Sequence, residues 1–225
     1  MLQELLDVIG FGLCHQLPER SLFGGSIRVP VCARDTGIYV GFAVAFLVLS
    51  LLHRDRPSRM PSLAVNVALG LGVVAMVVDG VTSYAGIRPT TNELRLLTGL
   101  LTGYAIAAWI VPIMSAEVWR APGMGSLLPD VRSRAVYLVS LVTAYLAIWW
   151  IAPLLGLAFP LIVTASIILT FTVVNLVIVA LLPPFSRAAR GFRDLLPAIG
   201  VALLLTGVEL IASSALKGWL FALPF

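Results

Sequence analysis

Two cysteines, a histidine and an aspartate gather in one stretch, CHQLPERSLFGGSIRVPVCARDTGIYVG, residues 14–41. Cys14 and His15 are adjacent, and Cys32 stands three residues before Asp35. Thiolate, imidazole and carboxylate are the common zinc ligands, and Cys32-x-x-Asp35 has the gap of a ligand knuckle. One reading is therefore a single zinc or other divalent metal held by Cys14, His15, Cys32 and Asp35, with the reservation that adjacent Cys14 and His15 do not readily face one ion. A Cys14–Cys32 disulfide is a second reading, allowed in an extracytoplasmic setting. Two buried thiols are a third. Residue types and spacing leave all three open. No serine–histidine–aspartate order, phosphate-binding glycine loop or zincin helix motif accompanies them.

A second polar patch, VDGVTSYAGIRPTTNELRLLTGLLTG, spans residues 78–103. Asp79 suits a general base or a further metal ligand, and Arg95 suits an anionic group. Arg34, Arg88 and Asn92 are candidate substrate contacts. Charges at membrane depth must be paired or wet, so an Asp79–Arg95 or Asp79–Arg88 ion pair that fixes packing is the plainer reading. Glu209 lies near the middle of the last apolar run. It reads as the coupling carboxylate of a transporter or flippase, or as a glutamate hydrogen-bonded to Asn175. Asn66 and Asn175 read as interhelical hydrogen-bond donors.

The elements that must position these residues follow from composition. The chain has 225 residues, 60% hydrophobic and only 12% charged. Soluble domains carry about 25% charged residues, so this chain cannot cover a water-exposed globule. Its expected class is all-α, a polytopic membrane helix bundle in the lipid bilayer. Six runs reach the length of about 20 residues that a spanning helix needs: 36–53, 63–84, 94–114, 135–155, 159–182 and 197–219. Residues 2–15 alternate Leu2, Leu5, Leu6, Ile9 and Leu13 with Glu4, Asp7 and Gln16, a short amphipathic helix. That segment lacks a basic leader, so it is expected to be retained rather than cleaved. The net charge of +4 comes without a basic-aromatic array, so nucleic acid is not an expected partner. The sequence names no protein partner.

Three alternate loops hold nine of the fifteen basic residues and four of the eleven acids. The positive-inside rule places them in the cytoplasm of a plasma-membrane protein, with both termini and the Cys/His motif outside. Thr90 and Glu93 form a candidate capping box for the third span. Gly37/Gly41 and Gly99/Gly103 have the small-xxx-small spacing of closely packed membrane helices. A soft boundary at 115–134 divides an N-terminal module, 1–114, from three plainer spans in 135–225.

The two polar patches together carry a resemblance. Cys14-His15-Gln16, then Glu19-Arg20-Ser21, Cys32-Ala33-Arg34 and Thr36-Gly37-Ile38-Tyr39 are followed by Asp79-Gly80, Asn92, Arg95 and Thr98-Gly99. This order resembles the membrane family called domain of unknown function 2085, over about residues 5–110. The resemblance implies a small helical membrane module with an outer polar centre and supplies no reaction. The family pattern has a third cysteine at the position of Asp35. That favours metal over disulfide in the family, while Asp35 puts an all-thiolate site in doubt here. The expected function is a metal-binding membrane protein, with a metal-dependent hydrolase or transferase on a lipid-like substrate ahead of the transporter. A non-catalytic assembly module is the third candidate.

Overall fold

A computed structural model describes residues 2–222 as a bundle of membrane-spanning helices. The amphipathic helix α1 (Leu2–Phe11) leads to a hairpin of β1 (Ser21–Gly24) and β2 (Ile27–Cys32). These strands pair antiparallel, with Ser21 opposite Cys32. Helix α2 (Ala33–Leu52) follows β2 without a loop, so Cys32 is both the last strand residue and the helix N-cap. A short β3 (Pro57–Arg59) precedes α3 (Leu63–Tyr84) and α4 (Asn92–Val118). Strand β4 (Gly123–Ser126) runs parallel to β3. Helices α5 (Val131–Leu146), α6 (Ala158–Ala180) and α7 (Leu196–Ala222) complete the bundle.

Six helical segments are long and apolar enough to cross a membrane, matching the six runs of the sequence. Their burial separates inner from outer helices. In α4, 67% of the apolar window is buried, and in α6, 61%; in α3 only 6% is. A helix whose exposed face is as apolar as its buried face has lipid as its outer solvent. Leu71, Val74, Val77 and Val81 of α3 and Leu204, Val208 and Ile211 of α7 are such residues.

The closest helix pair is α2 against α4. A Cβ at Gly99 would stand 2.0 Å from the Arg34 carbonyl oxygen, and one at Gly103 would stand 2.2 Å from that of Ile38. Gly37 faces the Leu96 carbonyl as closely, at 2.5 Å. Only glycine permits this approach, which gains dispersion contacts where the hydrophobic effect gives no drive between helices.

Two expected boundaries shift. The third span is capped by Thr91, not Thr90: Thr91 Oγ1 accepts from the Leu94 N–H. Thr90 instead donates to Asp79, 2.7 Å away. The fourth run is also not one α-helix. After Leu146 it widens into a π turn over Ala147–Ile151 and tightens into a 3-10 turn over Ala152–Leu155. Pro153 lacks the N–H that would continue the α ladder.

The glycine contact is testable. Gly103→Ala should destabilise the detergent-solubilised protein by about 2 kcal/mol or more through overpacking. Gly70→Ala, where an added Cβ meets nothing within 4 Å, should be neutral or slightly stabilising. Thermal melts that show equal losses for both would contradict close packing of α2 on α4.

Candidate functional site

The Cys32-x-x-Asp35 spacing has a local cause. Cys32 is the N-cap of α2 and Asp35 its third residue, positions whose side chains meet across the first helical turn. The Cys32 thiol donates to Asp35 Oδ2 at 3.2 Å. Cys14 arrives from the turn after α1, and its sulfur accepts the Cys32 N–H at 3.2 Å. Ligand atoms of Cys14, Cys32 and Asp35 all lie within 4.8 Å of one another. Both cysteines are buried, and neither is in a disulfide. Thiolate and carboxylate here also gain from the positive end of the α2 dipole.

The two thiols are driven apart. A hydrogen bond from Cys32 holds Cys14 below the ordinary cysteine range, against burial and the Asp35 charge, which push the other way. The Cys14 sulfur beside it pushes Cys32 far above that range, and burial and Asp35 add to it. Of the two, Cys14 is the one that gives up its proton first.

His15 does not join them. It is solvent-exposed, with its ring centroid 6.5 Å from that of Tyr84. The reason is local: the residue after it, Gln16, adopts φ +55 and is pinned inward. Gln16 Nε2 donates to the Asp7 and Pro30 carbonyls at 2.8 and 2.9 Å. The Gln16 carbonyl accepts from Arg28 at 2.6 Å.

Asp79 is committed elsewhere. Its side chain is 1% exposed and is ion-paired with Arg34 and, at 2.8 Å, with Arg88. With Thr90 as a third donor, both its oxygens are engaged in bonds that hold α2 and the α3–α4 turn. Arg95 does not pair with it. Arg95 donates to Asn92 Oδ1 at 3.0 Å, and Asn92 in turn donates to the Glu19 carbonyl at 3.2 Å. No carboxylate pairs with Arg95 among the described residues. It lies within electrostatic reach of Arg20, Arg34, Cys32 and Asp79. The Nε of Arg34 is buried without a partner.

The residues read from sequence as lining a transport path pair locally. Asn66 accepts from the Trp109 indole at 3.0 Å. Asn175 donates to Glu209 Oε2 at 2.8 Å and to Thr206 at 3.1 Å. Glu209 is exposed on the outer side of α7. These are separate pairs.

Residues 14–109 match the family described as predicted membrane protein, DUF2085. An uncharacterized protein of Methanocaldococcus jannaschii is 32% identical over 108 residues, covering 48% of this chain and 67% of that protein. One from Methanothermobacter thermautotrophicus is 38% identical over 95 residues, covering 42% of this chain and 81% of that protein. The chain belongs to the DUF2085 family. No solved structure matches it.

One contact ties the DUF2085 match to the helices beyond it. Lys217 of α7 donates to the carbonyls of Phe11 and Cys14, at 2.7 and 2.6 Å. Sequence reasoning missed Lys217, and it gave Gln16 only as a motif residue with no role. A lysine alone in an apolar run was the available signal for the first; for Gln16 no spacing rule applies.

Two outcomes follow. Asp79→Ala strands buried Arg34 and should cost about 3 kcal/mol, read as lost stability in detergent, whereas His15→Ala should leave melting unchanged. In chelator-treated, reduced protein, alkylation of Cys14 should switch on at lower pH than that of Cys32. Mass spectrometry across a pH series checks this, and the reverse order would contradict the order of deprotonation.

Proposed function

We propose that this membrane protein holds one zinc or similar divalent ion through Cys14, Cys32 and Asp35. The observation that carries the reading is the convergence of two unbonded sulfurs and a carboxylate at the N-terminus of α2. Zinc–ligand bonds of 2.0–2.3 Å put tetrahedral ligand atoms roughly 3.7 Å apart, a contraction of about 1 Å from the widest separation here. The cost of bringing Asp35 and a Cys14 thiolate together is offset by the ion's own charge.

Three protein ligands leave a fourth position for water or a substrate oxygen, the arrangement of catalytic rather than structural zinc. Arg95 and the free Nε of Arg34 supply positive charge beside it, which suits an anionic group. Asp79 holds Arg34 in place rather than acting as the base. By the positive-inside rule, the basic loops at the far end of the bundle favour a cytoplasmic setting there and an outer-face setting in the plasma membrane for this site. A lipid-like substrate then reaches it at the interface, for hydrolysis or transfer.

The test is elemental analysis of purified protein with cobalt substitution. One ion per chain is expected, with the thiolate-to-cobalt absorption of a sulfur-bound ion. Cys14→Ser, Cys32→Ser and Asp35→Ala should each weaken binding about tenfold or more, as loss of a direct ligand does at least what loss of an outer-shell partner does. His15→Ala should not. Metal-free protein whose two thiols close into a disulfide on mild oxidation would replace the metal reading with a structural bridge.

A further inference from the structure

A second cavity, of about 570 Å³, lies at the opposite end of the bundle between α2, α4, α6 and the start of α7. Its inner part is apolar, lined by Phe46, Val111, Leu169 and Val173 among others. Its lining runs from Phe46 to His53 on α2 and from Leu169 to Leu176 on α6. Seven residues of helix are about 10 Å, so the cavity reaches that far into the membrane-spanning part.

The mouth has the opposite chemistry. His53, Arg54 and Arg56 line it, and no acidic residue does. The Arg56 guanidinium lies 3.5 Å above the Trp119 ring and 5.6 Å from Phe192. That stacking holds the plane still and leaves its N–H edge available. Neither the Arg54 nor the Arg56 guanidinium makes an ion pair or hydrogen bond among the described residues. His53 Nε2 is buried without a partner. Two acids lie within electrostatic reach of His53, Asp55 and Asp130. Asp130 is spent on capping α5 through the Ser133 N–H at 2.8 Å, and Asp55 is exposed.

The mouth is also built rather than incidental. Arg56 takes a left-handed backbone, φ +57, a conformation a non-glycine residue holds only where its surroundings impose it. Here the Gly123 N–H donates to the Arg56 carbonyl at 2.9 Å, and Ser58 Oγ to the Gly123 carbonyl at 2.7 Å. The third basic loop joins through Arg120 N–H to the Ala189 carbonyl at 2.9 Å. All three basic loops are thus knitted around one opening.

We propose that this cavity binds an alkyl chain ending in a phosphate, with the chain in the apolar shaft and the phosphate on Arg54, Arg56 and His53. A buried imidazole nitrogen without a partner and two unpaired guanidinium groups over an acid-free apolar shaft fit that ligand class. The site is separate from the cysteine centre, which lies at the other end of α2.

Decyl phosphate titrated calorimetrically into the full chain in a non-ionic detergent tests this. Saturable binding of one ligand per chain is expected. Decanol and inorganic phosphate should each bind at least about tenfold more weakly, a difference of about 1.4 kcal/mol. Arg56→Gln, and separately Val173→Trp to fill the shaft, should weaken decyl phosphate about tenfold, while Cys14→Ser should leave it unchanged. Arg54→Gln, at an exposed position, gives the same reading if either variant fails to fold. Non-saturable uptake, or native affinity in folded variants, overturns the proposal. Repeating the titration in phosphatidylglycerol nanodiscs separates the sources: competition identifies a bilayer phospholipid as the occupant, and undiminished binding identifies a free alkyl phosphate.

Discussion

The close approach of α2 and α4 is the constraint on which the rest of the molecule depends. Lipid tails are as apolar as leucine, so two membrane helices gain little by burying leucine against each other. They gain by fitting backbone to backbone, and Gly37, Gly99 and Gly103 allow that fit. The contact begins at the Arg34 carbonyl, one residue into α2. It therefore sets the height of everything just before it. Cys32 and Asp35 stand at the level of Arg95 because Gly99, two turns into α4, lies against Arg34.

Charge at that level then has to be arranged. Arg20, Arg34, Arg88 and Arg95 outnumber Asp35 and Asp79 there. Asp79 takes two of the arginines. The remaining positive field, added to the α2 dipole, favours an anion beside the thiols. It also explains how Asp35, half-buried beside two sulfurs, is tolerated. A buried pair such as Arg34–Asp79 is weak evidence for stability in itself, because desolvation offsets most of the attraction. Its use here is positional: it ties α2 to α3 and fixes the Arg34 side chain, whose Nε stays unpaired.

The fold was legible because lipid imposes a simple rule. Six apolar runs gave six spans, and the small-xxx-small pairs gave the central contact. What failed were places where two local rules competed. Thr90 and Thr91 both satisfy a cap pattern, and the tertiary demand of Asp79 for a donor assigned Thr90 away from the helix. Pro153 sits in a run whose hydropathy is uninterrupted, so composition hid the break. The site was half legible. Cys32 and Asp35 are linked through helix geometry that spacing encodes, and Cys14 is brought in by the tether of Gln16 and Lys217, which spacing does not encode. His15 shows the limit most clearly. A ligand-type residue beside a cysteine looks like part of the same site, but adjacent side chains on a turn point apart, and the Gln16 backbone turns His15 to solvent.

The two ends of the bundle differ in kind. At the N-terminal end, thiols, carboxylates and arginines lie close together and mostly neutralise one another, so small changes in protonation or a bound ion redistribute charge. At the basic-loop end, arginines face an apolar shaft with no acid lining it, which favours a bound anion as countercharge. Helix α2 joins them, with Cys32 at its first cap and His53 at its last. It is held along its length by α4, which offers no room for sliding at Gly99 and Gly103. A rigid α2 keeps the distance between the ends fixed, so the energetics at either end are set locally. Coupling between them would require tilting α2 and α4 together, and α6, which packs on both, is the element against which such a tilt has to work.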